Sequence, residues 1–129
     1  MNGEYAPEET AKISIFDRGF IFGDGVYEVV PVVTGKLVDR DYFLERLDRS
    51  LSELSITWPC SQREYLDIMQ ELIFRNNLEE GFVYSQVTRG IADRDFAFPV
   101  DTAPSLVAFT CEMNLLNNTL AESGIAVTT

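Results

Sequence analysis

The 129-residue chain contains no histidine, and its only lysines and cysteines are Lys12, Lys36, Cys60 and Cys111. Without imidazole it can build no Ser-His-Asp or Cys-His nucleophile pair, no histidine metal site and no imidazole proton shuttle. Two cysteines so far apart read as free thiols of a reducing compartment rather than as a disulfide framework. No apolar run approaches the ~20 residues of a membrane-crossing helix. The start, Met1-Asn2-Gly3-Glu4-Tyr5, lacks the basic flank and apolar stretch of a signal peptide. The expectation is therefore a cytoplasmic protein with no membrane association. Positive charge is scarce too: 10 Lys and Arg against 21 Asp and Glu give a formal net charge of -11. That balance excludes nucleic acid as a partner, because phosphate backbones require a basic face. Small anions stay compatible, since a local arginine acts within a Debye length of about 8–10 Å. Any catalysis must draw its reactive group from a cofactor.

What is present suits one globular domain. The apolar content is 46%, and a typical domain holds about 100–150 residues. Residues 2–5 and 12–16 read as short extended pieces joined by a turn. Residues 26–33 form a β-branched strand in which Pro31, lacking an N–H, calls for an edge position or a bulge. A turn at Thr34-Gly35 leads into residues 36–38 as a hairpin partner. A helix follows, with Asp39 or Asp41 as its cap and Leu44, Leu47, Leu51 and Leu54 as its buried stripe. Ser61 and Glu64 mark the start of a second helix reaching about Asn76, with Tyr65, Ile68, Met69, Leu72 and Ile73 facing inward. Residues 82–88 alternate as a strand, 89–103 form a long loop of the kind that is usually functional, and 104–112 return as a strand. Residues 114–123 are polar, with at most one helical turn, and 124–129 begin a further strand. Strands, two consecutive amphipathic helices and strands again predict an α+β two-layer sandwich: a mostly antiparallel sheet with the helices on one face.

The most informative stretch is Asp17-Arg18-Gly19-Phe20-Ile21-Phe22-Gly23-Asp24-Gly25-Val26-Tyr27-Glu28-Val29. Gly23 and Gly25 permit positive φ or close backbone approach, which ligand sites exploit; equally, Gly-Asp-Gly suits the tip of a hairpin. The complete run resembles the N-terminal segment of the fold-type-IV pyridoxal-phosphate enzymes, the class IV aminotransferases, and most closely the D-amino-acid aminotransferases among them. Leu44-Glu45-Arg46-Leu47 matches as well, as does Thr88-Arg89-Gly90 followed by Arg94 and Phe98-Pro99. The resemblance extends from about Asn2 to Cys111, the first half of such an enzyme.

The resemblance implies a cofactor, pyridoxal 5'-phosphate, and a reaction, transfer of an amino group between D-amino acids and 2-oxo acids. It makes Arg46 the residue that binds the cofactor's phosphate, a role suited to a planar, permanently charged guanidinium. It places Tyr27 and Arg94 beside the substrate's α-carboxylate, with the Arg94 loop reaching into the partner subunit of a homodimer. Phe96 and Phe43 stand where the family pattern has histidines, which leaves substrate and stereochemical preference open. The family's cofactor-bearing lysine lies in a second domain, and neither Lys12 nor Lys36 matches it. Residues 1–112 would then form the N-terminal domain, 113–123 a linker and 124–129 the start of the second domain. This chain alone would be inactive. Aminodeoxychorismate lyases and branched-chain aminotransferases share the pattern, and a non-catalytic dimerisation domain is the reading from another class.

Overall fold

A computed structural model describes residues 1–117, 121 and 123–128. Four strands, β1 (Gly25–Val33), β2 (Lys36–Leu37), β3 (Glu80–Thr88) and β4 (Ser105–Glu112), form an antiparallel sheet in the order β2-β1-β3-β4. Three named α-helices accompany them among the described residues: α1 (Arg18–Phe22), α2 (Arg40–Glu53) and α3 (Gln62–Arg75), with a single 3-10 turn at Glu8–Thr10 before them. The architecture is the expected α+β two-layer sandwich.

Alternation decides which face is covered. Along β1 and β3, Val30, Val32, Val83 and Val87 point the same way and join Leu106 of β4 in the core. Against them lie Phe43, Leu44, Leu47 and Leu51 of α2 and Tyr65, Met69 and Ile73 of α3. Each aliphatic side chain fully buried here contributes about 1.5–3 kcal/mol. The opposite face is open and aromatic: Tyr27 stacks on Tyr84 at 5.6 Å between ring centroids, and Tyr84 on Phe109 at 4.8 Å.

One local expectation holds in detail: the Ser61 side chain accepts a hydrogen bond from the Glu64 backbone N–H at 3.2 Å and so caps α3. Pro31 is in neither an edge strand nor a bulge: it lies in interior β1 opposite Phe82, and its carbonyl accepts from the Val38 N–H on the β2 side. Because N–H and C=O of one residue point the same way in an antiparallel strand, the missing donor faces the short hairpin partner. No β3 hydrogen bond is lost.

Other expectations are corrected. Residues 2–5 and 12–16 are not strands of the sheet; Asn2 pairs its N–H and Oδ1 with Leu106 at the margin of β4. Asp39 occupies the cap position of α2, yet its side chain makes no capping hydrogen bond. Leu54 falls just past the last turn of α2 and is exposed, because the helix ends before its stripe does. Gly23-Asp24-Gly25 is not a hairpin tip. Gly23 terminates α1 at φ +65°, and Gly25 opens β1, where a Cβ would stand 2.8 Å from the Val87 carbonyl oxygen. Residues 124–128 form no strand, and part of the polar segment (118–120 and 122), together with position 129, lies outside the described residues.

Candidate functional site

Glu28 follows Tyr27 in β1, so the two side chains leave the sheet on opposite faces. Glu28 points to the helix side and is buried, in a row that is otherwise valine. A carboxylate there needs a charged partner, since burying it alone would be prohibitive. Arg46, projecting from α2, supplies it: its Nε donates to both Glu28 carboxylate oxygens at 3.0 Å, and its Nη2 donates to Oε2. The carboxylate holds the guanidinium still more firmly protonated than usual. Only one edge of the fork is used. Nη1 has no acceptor among the described residues, and the Arg46 side chain is 39% exposed against 6% for Glu28. The result is a cation fixed from behind with donors left for an external anion.

Tyr27, on the open face, is 65% exposed and packs flat on Tyr84. Arg94 lies in the loop between β3 and β4, its guanidinium 5.8 Å from the Phe22 ring centroid and 5.3 Å from that of Phe96. Arg46 leaves from the helix side, Tyr27 lies on the open face and Arg94 in the loop, so these three residues singled out by sequence stand on different elements. No hydrogen bond, ion pair or ring contact joins any two of them among the described residues. Phe43 is a core residue packed near Tyr65 at 6.5 Å, whereas Phe96 is exposed beside Phe22 at 5.8 Å.

Sequence reasoning missed the centre of the region, a buried ion cluster on Asp24. Arg18 Nε donates to Asp24 Oδ2 at 2.7 Å; Arg89 Nε donates to Oδ2 at 2.8 Å and Nη2 to Oδ1 at 3.0 Å. Burial pushes the Asp24 carboxyl upward, but the hydrogen bonds from Arg89 and Arg18 outweigh it, and the net shift is below the ordinary value of 3.8. Each arginine then ties down backbone. Arg89 donates to the carbonyls of Ser55 (3.0 Å) and Leu54 (2.8 Å) after α2, and Arg18 Nη1 to those of Asp95 (2.9 Å) and Ala97 (3.4 Å) in the loop. The signal was present: Asp24 directly precedes β1, Arg89 directly follows β3, and Arg18 opens α1. Without the fold, nothing in their spacing pairs them.

An antiparallel α+β two-layer sandwich that exposes an aromatic sheet face, and carries a carboxylate-seated arginine on its first long helix, is the class of domain the fold defines. Comparison with known proteins places it: the chain belongs to the amino-transferase class IV family, whose model matches residues 25–127. The D-alanine aminotransferase of Staphylococcus aureus (strain MSSA476) is 39% identical over 111 residues, which is 85% of this chain and 39% of that protein. That of Staphylococcus epidermidis (strain RP62A) is 36% identical over 130 residues, 100% of this chain and 46% of that protein. The chain thus spans less than half the length of these curated relatives. Among solved structures, the 4-amino-4-deoxychorismate lyase of Pseudomonas aeruginosa superposes with a TM-score of 0.73 at 27% identity, over 95% of this chain and 43% of the other. The branched-chain amino acid aminotransferase of Escherichia coli has the same fold, with a TM-score of 0.83 at 17% identity over 93% and 41%.

Proposed function

We propose that this chain is the N-terminal part of a pyridoxal-phosphate-dependent aminotransferase that moves an amino group between D-amino acids, such as D-alanine, and 2-oxo acids. The observation that carries the reading is the Arg46–Glu28 pair. A guanidinium seated on a buried carboxylate, with its Nη1 edge open, is a fitted receptor for a phosphate ester, which takes parallel N–H donors bidentately. The relatives named D-alanine aminotransferase support the substrate class.

When bound, pyridoxal phosphate supplies the electron sink that makes the substrate's Cα proton labile. The residues of this chain bind and orient. Arg46 anchors the phosphate, and Glu28 keeps its fork from swinging. Tyr27 and Arg94 hold the α-carboxylate, the phenol as a neutral donor and the guanidinium as a charge, and orientation of this kind removes several kcal/mol of barrier. As the family resemblance implies, Tyr27 and Arg94 are joined across a homodimer, with the Arg94 loop serving the partner. The lysine that carries the cofactor and moves the proton belongs to the polypeptide beyond this segment; Lys12 and Lys36, both exposed, lie in the N-terminal coil and in β2. The cytoplasm is the compartment, in keeping with the free thiols Cys60 and Cys111. Among the described residues no helix is long and apolar enough to cross a membrane.

The test is made on the full-length enzyme. It should transfer the amino group of D-alanine to a 2-oxo acid, and Arg46→Ala should weaken pyridoxal phosphate binding, read by equilibrium dialysis, by about tenfold or more. Cofactor affinity unchanged by Arg46→Ala would end the assignment of the phosphate site.

A further inference from the structure

The loop that carries Arg94 is unusual in what holds it. Its start is pinned by the Arg18 N–H to the Gly90 carbonyl at 2.9 Å and by the Asp17–Ile91 bridge. Its end is pinned where Gly90 packs so tightly that an added Cβ would sit 2.0 Å from the Ala103 carbonyl oxygen. Between these points the side chains of residues 93–98 are all exposed, so burial of the loop's own side chains does not order it. Two buried guanidinia reach the middle from below: Arg18, which donates to the carbonyls of Asp95 and Ala97, and Arg89, which lies 4.1 Å from the Phe98 ring centroid without bonding the loop's backbone there. Arg18 in turn is aimed by Asp24, and Asp24 by Arg89. Asp24 also stands between Gly23 and Gly25 at the start of the strand that presents Tyr27.

We propose that Arg18 is a positioning residue for the substrate site: through the Asp95 and Ala97 carbonyls it fixes where Arg94 stands, and through Asp24 it ties that placement to the start of the Tyr27 strand. The role assigned to Arg94 rests on the function proposed above; the anchoring of the loop does not. The fork geometry is what the task requires. One nitrogen, Nε, is committed to Asp24 while another, Nη1, spans two carbonyls, which a lysine ammonium cannot reproduce. A lysine at position 18 keeps the ion pair with Asp24 and releases the loop.

Amide hydrogen exchange on this chain reads the anchoring directly. In Arg18→Lys, the amides of Ala92 and Ala97, whose N–H groups donate to the Phe16 carbonyl and to Asp95 Oδ1, should exchange about tenfold faster or more, while those of β3 keep their protection. Arg89→Lys is the control, because Arg89 holds the end of α2 rather than the Asp95 and Ala97 carbonyls. It should loosen residues 54–56 and disturb 95–97 less than Arg18→Lys does, since Arg89 touches the loop only through the Phe98 ring. Equal loosening of 95–97 in both variants, or none in Arg18→Lys, would overturn the anchoring. So would exchange of both the Ala92 and Ala97 amides at random-coil rates in the unaltered chain, a measurement that needs no variant. In the full-length enzyme, Arg18→Lys should raise KM for the amino acid about tenfold with kcat little changed, and Arg94→Ala should raise it further. A freed loop with KM unmoved in both variants overturns the assignment of Arg94, and the positioning role with it, while the anchoring stands.

Discussion

Replacing Asp24 by asparagine tests the physical core of this molecule most sharply. The side chain keeps its shape and one acceptor oxygen but loses the charge that two buried arginines share. Arg18, Arg89 and Asp24 have side chains only 3%, 10% and 9% exposed, so solvent screens their interaction little. Removing one partner from a buried pair costs about 3–5 kcal/mol, because the remaining charge is left uncompensated. The amide still accepts a hydrogen bond, which puts the expectation near the lower end, about 3 kcal/mol. For a domain whose total stability is about 5–15 kcal/mol, that is a large fraction. It corresponds to a fall in urea midpoint of about 1–2 M. Trp58 reports the transition: it is the sole tryptophan, donates to Asp48 at 2.8 Å and meets Tyr65 edge-on at 5.5 Å. The pH dependence adds a second readout. The folded-state pKa of Asp24 is depressed, so its stabilisation is present above the ordinary value of 3.8 and is lost as pH falls through the lower folded value. Asp24→Asn should therefore flatten the acid limb of the stability curve. A midpoint within about 0.3 M of the unaltered chain, or an unchanged acid limb, would show that the cluster does not hold the fold in the way argued.

Three further outcomes follow from the same reasoning. Arg46→Ala should destabilise by about 1–3 kcal/mol because it strands buried Glu28, and adding Glu28→Gln should return part of that loss, a coupling measured by a double-mutant cycle in urea. Tyr65→Phe should cost about 1–2 kcal/mol through the lost Tyr65 hydroxyl to Ser85 Oγ bond at 2.7 Å. The Tyr65 phenol is pushed up to about 12 by burial, so its contribution is intact below pH 10 and fades as pH rises through that value, which alkaline titration by ultraviolet absorbance will follow. In Gly19→Ala the new Cβ would meet Thr88 Cγ2 at 2.2 Å, for a loss of about 1–3 kcal/mol. Thr88→Ser in the same chain removes that methyl and keeps the hydroxyl that accepts from the Gly90 N–H, so it should restore most of the midpoint.

The elements legible in the sequence were those whose periodicity is long enough to express a buried face. The Leu44-Leu47-Leu51 stripe and the Val83-Ser85-Val87 alternation each mark their element. Helix α1 escaped because five residues carry no period; its only trace is the Asp17 cap, which accepts from the Gly19 N–H, and the Gly23 stop. The short N-terminal pieces failed for the converse reason: local extended character does not supply a neighbouring strand. At the site, the chemistry of Arg46 was legible and its seat was not. Glu28 faces Arg46 across 18 residues, and Arg18 reaches the loop across 77. Contacts of that sequence separation come from the sheet order and leave no mark in spacing.

The stacked rings of Tyr27, Tyr84 and Phe109 have a colloidal consequence. They present an uncovered apolar wall, and the chain's net charge of -11 is what keeps one such wall from meeting another. That safeguard weakens when salt shortens the reach of the charges or acid brings the molecule toward its isoelectric point near 4.3. Handled by itself, the polypeptide should stay dispersed in dilute neutral buffer and associate through its rings at high salt or near pH 4.3.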